Sequence, residues 1–118
     1  MDLETLRKYC LEKTYTTEEF PFGETTLVFK VCGKIFLLIG LENHPLQFNV
    51  KCDPDLAVEL RETYSSVIPA FHMNKKHWNT VIINGQLHSK QIREMIDASY
   101  DLVVRSLPLK ERKKIEKF

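Results

Sequence analysis

The residues with the densest recognition chemistry lie in one segment, from His72 to Val81. This segment holds two Lys, two His, two Asn and the single Trp of the chain. Lysine attracts phosphate, asparagine can pair with a base edge, and tryptophan or histidine can stack on a base. These are the components of a nucleic-acid site. The alternative is that Trp78 anchors the sheet to a helix, with its indole N–H satisfied locally.

The candidate nucleic-acid-binding residues are taken from this segment and from one lysine on an earlier strand. They are His72, Asn74, Lys75, Lys76, His77, Trp78, Asn79 and Lys51. Lysines near the C-terminus would add phosphate contacts. Binding would combine electrostatic attraction with limited base or sugar contact from the side of the sheet.

Other chemistries have weaker support in the sequence. The spacing of His72 and His77 places them on one face of neither a helix nor a strand, so we expect no metal site and no cofactor. There is no nucleophile elbow and no phosphate-binding glycine loop, and we expect no catalytic residue. The thiol of Cys52 follows Lys51 at a helix start, which would lower its pKa, but a buried structural thiol is the alternative that we favour.

The net charge of +1 excludes a uniformly basic nucleic-acid coat but hides an asymmetry along the chain. Residues 1–62 carry a net charge of −4, and residues 63–118 carry a net charge of +5. A basic half is compatible with binding a polyanion. The alternative is that the C-terminal lysines only keep the protein in solution.

The size and the cysteines indicate one intracellular domain. The chain of 118 residues is long enough for one hydrophobic core. Three cysteines without a Cys-x-x-Cys pair favour free thiols in a reducing cytoplasm. The longest apolar run, residues 35–39, is far shorter than the roughly 20 residues of a membrane helix. We therefore expect a cytoplasmic monomer without a membrane partner.

Alternating and continuous apolar residues predict the strands of a sheet. Residues 25–31 and 35–39 form a hairpin around Cys32-Gly33, and the second strand is apolar on both faces. Residues 46–51 alternate, with Leu46, Phe48 and Val50 on one side and three polar residues on the other. One face of the sheet is therefore wet or covered by polar groups. Residues 65–71 are expected to be extended, and residues 78–83 to form a further strand.

Three helices are predicted by capping residues and helical spacing. The first covers residues 2–13 with Asp2 as the N-cap, and the second begins after Asp53 and runs to about Tyr64. The third covers residues 90–106, with Ser89 as its expected N-cap. The order α-β-β-β-α-β-α indicates a two-layer α+β domain, with helices on one face of a mostly antiparallel sheet. We expect the domain to span residues 1–107, followed by a charged tail of residues 108–118 that forms a short or frayed helix.

Several segments together resemble the MmcQ/YjbR family of small bacterial proteins. The segments that carry the resemblance are Pro21-Phe22-Gly23, Val31 to Phe36, Asn49 to Cys52, Pro69 to Val81, and Ser99-Tyr100 with Leu102-Val103. The resemblance spans about residues 1–107 and excludes the tail. Ala70-Phe71 stands where the family more often looks like Gly-Tyr.

The resemblance implies a fold similar to those of type III secretion chaperones and of a double-wing DNA-binding domain from a phage transcription factor. Members of the family are commonly labelled as DNA-binding, so DNA is the first partner that we expect. A protein-interaction module, chaperone-like or regulatory, is the alternative, and its candidate contacts are Phe20, Phe22 and Phe71. A small-ligand binder or enzyme using His72, Asn74 and His77 ranks third.

Overall fold

The structure is a computed structural model that describes residues 1–116. Lys117 and Phe118, the end of the expected tail, lie outside the described residues. The helices are α1 (Leu3–Leu11), α2 (Pro54–Thr63), α3 (Ser89–Ser106) and α4 (Leu109–Glu116). The strands are β1 (Thr16–Glu19), β2 (Thr26–Val31), β3 (Lys34–Gly40), β4 (Gln47–Lys51), β5 (Val67–Pro69) and β6 (Trp78–Ile82).

The strands form one six-stranded sheet in the order β1-β2-β3-β4-β6-β5, and every neighbouring pair is antiparallel. The two-layer α+β fold that the sequence predicts is confirmed. Two short strands extend the predicted sheet, one at each edge. Of these, β5 lies in a segment expected to be extended, whereas β1 is not indicated by the sequence.

The β2–β3 hairpin turns at Cys32 and Gly33, whose φ angles are 47° and 81°. Two successive positive φ angles define the turn type that matches the twist of a two-residue hairpin, and glycine adopts the second one without steric cost. Farther along, Phe29 pairs with Leu37 and Lys30 pairs with Ile35. Phe36 is therefore an extra residue in β3, which is why both Phe36 and Leu37 are buried.

The longest helix, α3, covers one face of the sheet with a stripe of buried residues at helical spacing: Ile92, Ile96, Ser99, Tyr100 and Val103. Ser99 is a polar residue within this stripe and has no exposed surface. Its Oγ donates to the carbonyl of Phe36 at 2.5 Å and accepts from the backbone N–H of Lys51 at 2.8 Å. One side chain thus provides hydrogen-bond partners for a backbone carbonyl in the irregular part of β3 and for a backbone N–H at the end of β4.

The first helix lies beside α3 in the same layer, and polar contacts lock the two together. The Tyr9 hydroxyl and the Lys13 ammonium both donate to Asp97, each at 2.6 Å. The Tyr100 hydroxyl donates to the carbonyl of Thr14 at 2.6 Å, just beyond the end of α1. Burial, together with the bond to Asp97, raises the pKa of Tyr9 to about 12, so this phenol stays a donor at neutral pH.

The helix ends agree with the sequence at two positions and differ at one. Asp2 and Asp53 accept from the backbone N–H groups of Thr5 and Leu56, as expected of N-caps. The expected N-cap of α3 is wrong by one residue, because Ser89 is already helical and His88 is the cap. The Gln91 side chain accepts from the His88 N–H at 3.0 Å, and this reciprocal bond fixes the helix start.

Glu18→Gln is expected to remove a pH-dependent part of the stability. The Arg7 guanidinium donates to both oxygens of Glu18, at 2.6 Å for Nε, and these bonds hold the pKa of Glu18 below its ordinary 4.5. The folded state therefore resists protonation more than the unfolded chain does. The ionised Glu18 therefore stabilises the fold at pH values above its pKa in the unfolded chain. This contribution is lost as the pH falls through the pKa of Glu18 in the folded state.

For this partly exposed pair we expect a loss of about 0.5–1 kcal/mol in the free energy of unfolding at about pH 7. The difference from wild type should be smaller at an acidic pH below the ordinary pKa of 4.5 than at neutral pH, because the paired carboxylate loses its charge when it is protonated. Urea unfolding at both pH values measures it. An equal loss at the two pH values would contradict the assignment.

Candidate functional site

The loop of residues 70–77, which joins β5 to β6, is folded around Asn74. The Asn74 carbonyl accepts from the N–H groups of His77 and Trp78, at 3.1 and 2.9 Å. Its side-chain Oδ1 accepts from the Lys76 N–H at 3.0 Å. Such bonds from Asn to the backbone two residues later are typical of tight turns. Asn74 therefore shapes the loop and presents the two lysines at its tip.

Lys75 and Lys76 are exposed, and within residues 1–116 neither forms an ion pair. The Lys75 ammonium lies 5.1 Å from the ring centroid of Phe71, within the range of a cation–π contact. From α2, Arg61 donates to the Lys75 carbonyl at 3.0 Å and holds the tip from behind. The tip is thus a supported pair of cations with an aromatic neighbour.

Strand pairing brings Lys51 next to this loop. Lys51 of β4 is opposite Trp78 of β6, and Asn49 is opposite Thr80. Because residues two apart point to the same side of a strand, these four residues share one face of the sheet. We call it the open face, since α1, α2 and α3 pack on the other one. Trp78 is half-buried there, so the structure gives it both a packing role and an accessible surface.

Asn79 lies on the opposite face, although the sequence placed it with Trp78 among the candidate nucleic-acid-binding residues. It is only 1% exposed. Its Nδ2 donates to the Ala57 carbonyl at 3.3 Å, and its Oδ1 accepts from Arg61 at 2.9 Å. Asn79 therefore connects α2 to β6 and positions Arg61, which in turn holds the loop. It offers no surface to a ligand on the open face.

The two histidines of the segment are placed differently. His72 is exposed and lines a groove on the open face. His77 is half-buried, and its carbonyl accepts from the Cys52 N–H at 2.7 Å, which joins the loop to the end of β4. Among residues 1–116, no group of three His, Cys, Asp or Glu side chains is arranged to hold a metal ion.

The groove on the open face has a volume of about 650 Å³. It is lined by Phe22, Thr26, Ile35, Leu38, Gly40, Asn43, Gln47, Asn49, Ile68, Phe71, His72, Met73 and Thr80. Strands β2 to β6 supply its floor, and the loops that hold Phe22 and Phe71 supply opposite rims. Phe22 and Phe71 are 65% and 62% exposed.

Polar side chains in the floor keep free hydrogen-bonding capacity. The Thr80 hydroxyl donates to Asn49 Oδ1 at 2.6 Å, whereas within residues 1–116 the Asn49 Nδ2 has only the sulfur of Met73, at 3.8 Å, as a hydrogen-bond acceptor. In the part of the chain that is described, the side chains of Asn43 and Gln47 make no hydrogen bond. None of the described lining residues is acidic. The groove can therefore exchange hydrogen bonds with a ligand without repelling an anion.

The sequence did not single out Asn49, Gln47 and Thr80 as site residues. Their signal was the alternation of residues 46–51, which indicated a polar face without showing that loops enclose it. The rim residues Phe22 and Phe71 were expected only as contacts for a protein partner.

A second, smaller cavity of about 240 Å³ lies between α2, α3 and the sheet, and Cys52 is among its lining residues. Burial raises the pKa of the Cys52 thiol, and the negative charge of Asp53 adds to the shift. The sequence indicated that Lys51 and the helix start would lower the pKa of this thiol, and that direction is wrong. Cys52 is a buried structural residue, the alternative favoured by the sequence.

The family model YjbR matches residues 11–102, which is well over half of the chain. The chain belongs to the YjbR family. The resemblance inferred from its sequence motifs is thereby confirmed.

Two curated relatives match this YjbR-family chain over nearly its whole length. The YjbR protein of Escherichia coli K12 is 35% identical over 114 residues, which are 96% of each chain. The YbdF protein of Escherichia coli O157:H7 is 35% identical over 113 residues, covering 95% of this chain and 92% of YbdF.

Solved structures share the fold of this YjbR-family chain. The crystal structure of Deinococcus radiodurans protein DR2400 superposes with a TM-score of 0.90 at 35% identity, covering 97% of this chain and 87% of that one. A Pseudomonas syringae protein superposes with a TM-score of 0.74 at 28% identity, covering 86% of this chain and 98% of that one.

Within the described residues, the chain has no helix long and apolar enough to span a membrane.

Proposed function

We propose that this YjbR-family protein binds DNA through the open face of its sheet. The observation that carries the proposal is that the loop holding Lys75 and Lys76 adjoins Lys51 at one end of that face. Among the described residues none of the three is neutralised by a carboxylate. The adjoining groove has no acidic lining residue. A polyanion thus meets free cations, and the groove lining adds no negative charge.

In this proposal some side chains attract and contact the DNA, and others hold the binding loop in shape. The three lysines take phosphates, which fixes the register of the DNA but carries no sequence information. Trp78 and Phe71 supply aromatic surface beside them, and His72 adds a ring at the edge of the groove. Asn74, Arg61 and Asn79 do not touch DNA in this proposal. They hold the loop in the shape that presents Lys75 and Lys76. The binding unit is a single chain.

The double variant Lys75→Glu/Lys76→Glu tests the proposal. DNA, duplex and single-stranded, is titrated at low salt and followed by Trp78 fluorescence and by gel shift. We expect binding to weaken by about tenfold or more, because two phosphate contacts are replaced by two repulsions. The slope of log affinity against log salt should decrease by about two.

The matched control is Lys8→Glu/Lys90→Glu. These exposed lysines lie on α1 and α3, in the helical layer behind the sheet, and the substitution changes the net charge equally. We expect it to weaken binding far less than the loop variant. Equal losses would mean that net charge alone governs binding, which would overturn the assigned surface.

A wild-type protein that binds neither form of DNA at tens of micromolar, roughly the range of non-specific affinities, would overturn the function itself. If the open-face groove then retained a protein partner that the variant Phe71→Ala lost, the protein-interaction module would replace DNA binding as the function.

A further inference from the structure

We infer that the open-face groove takes unpaired nucleobases, so that the DNA bound is a single strand or an opened segment rather than intact duplex. The inference rests on the proposed function and specifies the form of nucleic acid. Three features carry it: two exposed aromatic rims, a floor with free amide groups, and cations at one end.

The rims are placed to stack on bases. Phe22 precedes β2 and Phe71 follows β5, and both line the same groove. The strands between them are β3, β4 and β6. At about 4.8 Å per strand spacing, the four spacings from β2 to β5 amount to roughly 19 Å across the sheet. In one common class of RNA-binding domain, aromatic side chains on the open face of a sheet stack about two or three bases.

The floor is suited to base edges. Asn49 Nδ2 has only the soft sulfur of Met73 as a partner, and Gln47 and Asn43 have none among residues 1–116. Each amide offers both donors and an acceptor. Unpaired bases expose donors and acceptors on their Watson–Crick edges, whereas in a duplex these edges are occupied by the complementary strand.

Duplex DNA uses these features poorly. The faces of its bases are stacked inside the helix, so neither phenyl ring could reach one without the cost of unstacking. A single strand presents both base faces and edges to the groove, while its phosphates remain free for Lys51, Lys75 and Lys76. The Lys75 ammonium above the Phe71 ring places one phosphate contact directly beside one stacking position.

The experiment compares three probes with the whole chain: a single-stranded oligothymidine of about ten nucleotides, a duplex of equal length, and an abasic strand with the same phosphates. We expect the oligothymidine to bind more tightly than the other two. Phe22→Ala and Phe71→Ala should each weaken its binding by about fivefold to a hundredfold, the usual range for loss of one stacked base. Neither variant should change the binding of duplex.

Phe20→Ala is the matched control. Phe20 lies in the same loop as Phe22 and is 52% exposed, but it does not line the groove. Its replacement should leave the affinity for oligothymidine unchanged. Because all three phenylalanines are exposed, we expect the variants to fold, which circular dichroism verifies.

The outcomes separate the two proposals. If duplex binds as tightly as oligothymidine through the lysines, and Phe22→Ala has no effect, the inference is wrong while the proposed function stands. Equal binding of the abasic strand would likewise exclude base recognition. If none of the three probes binds, the proposed function fails, and the inference fails with it.

Discussion

Ser99→Ala is expected to lower the free energy of unfolding by about 2–5 kcal/mol, because it leaves two backbone groups without partners. The lost bonds are those to the Phe36 carbonyl and the Lys51 N–H. Ser99 has no exposed surface, so water cannot simply replace its hydroxyl. Domains of this size are stable by about 5–15 kcal/mol in total, so the loss is a large fraction of the whole.

Urea unfolding of wild type and variant measures this loss. Ser106→Ala is the control, since it makes the same chemical change at the exposed end of α3, where Ser106 Oγ donates to the Val103 carbonyl. That control should remain within about 0.5 kcal/mol of wild type. A similarly small effect for Ser99→Ala would show that the sheet satisfies the two backbone groups without the hydroxyl.

Asn79→Leu is expected to destabilise the fold by about 2–4 kcal/mol, although Asn79 belongs to the segment with the most DNA-binding character. Leucine has a similar volume but cannot accept from the Arg61 guanidinium or donate to the Ala57 carbonyl. The loop should also loosen, because Arg61 donates to the Lys75 carbonyl as well. Any loss of DNA affinity should be smaller than that caused by reversing the charges of Lys75 and Lys76.

A double-mutant cycle with Arg61→Ala supplies the control for this prediction. Because Asn79 and Arg61 share a hydrogen bond, we expect the two losses of unfolding free energy to be non-additive by about 0.5–3 kcal/mol. Additive losses would refute the direct coupling. A loss of DNA affinity without any loss of stability would return Asn79 to the binding surface.

The sequence predicted elements whose side chains alternate or carry a cap. Leu46, Phe48 and Val50 indicated β4, and Asp53 with Pro54 indicated the start of α2. Strand β1 has no such signal, because its sequence, Thr-Thr-Glu-Glu, contains no apolar residue. Pairing with β2, and the bonds of Glu18 to Arg7, hold it in the sheet. These are contacts between distant parts of the chain, which local patterns do not report.

The sequence predicted which residue types form the candidate site, but not which face of the sheet each side chain points to. Trp78 and Asn79 are adjacent in a strand and must point to opposite faces. The sequence did indicate the face of Asn79, since residues two apart in a strand point to the same side and Val81 is fully buried. The groove itself could not be predicted, because its rims come from Phe22 and Phe71, which are far apart in the chain and are brought to one groove only by the pairing of the strands between them.

The two short outer strands also affect how the protein behaves at high concentration. An exposed strand edge presents unpaired N–H and carbonyl groups on which another molecule can add a strand, the first step of many aggregation reactions. On one side, β1 is only four residues long and ends in two glutamates. On the other, β5 is three residues long and ends in Pro69, which has no N–H to offer. Both edges therefore resist self-association, even though a wide sheet surface is left open to a partner.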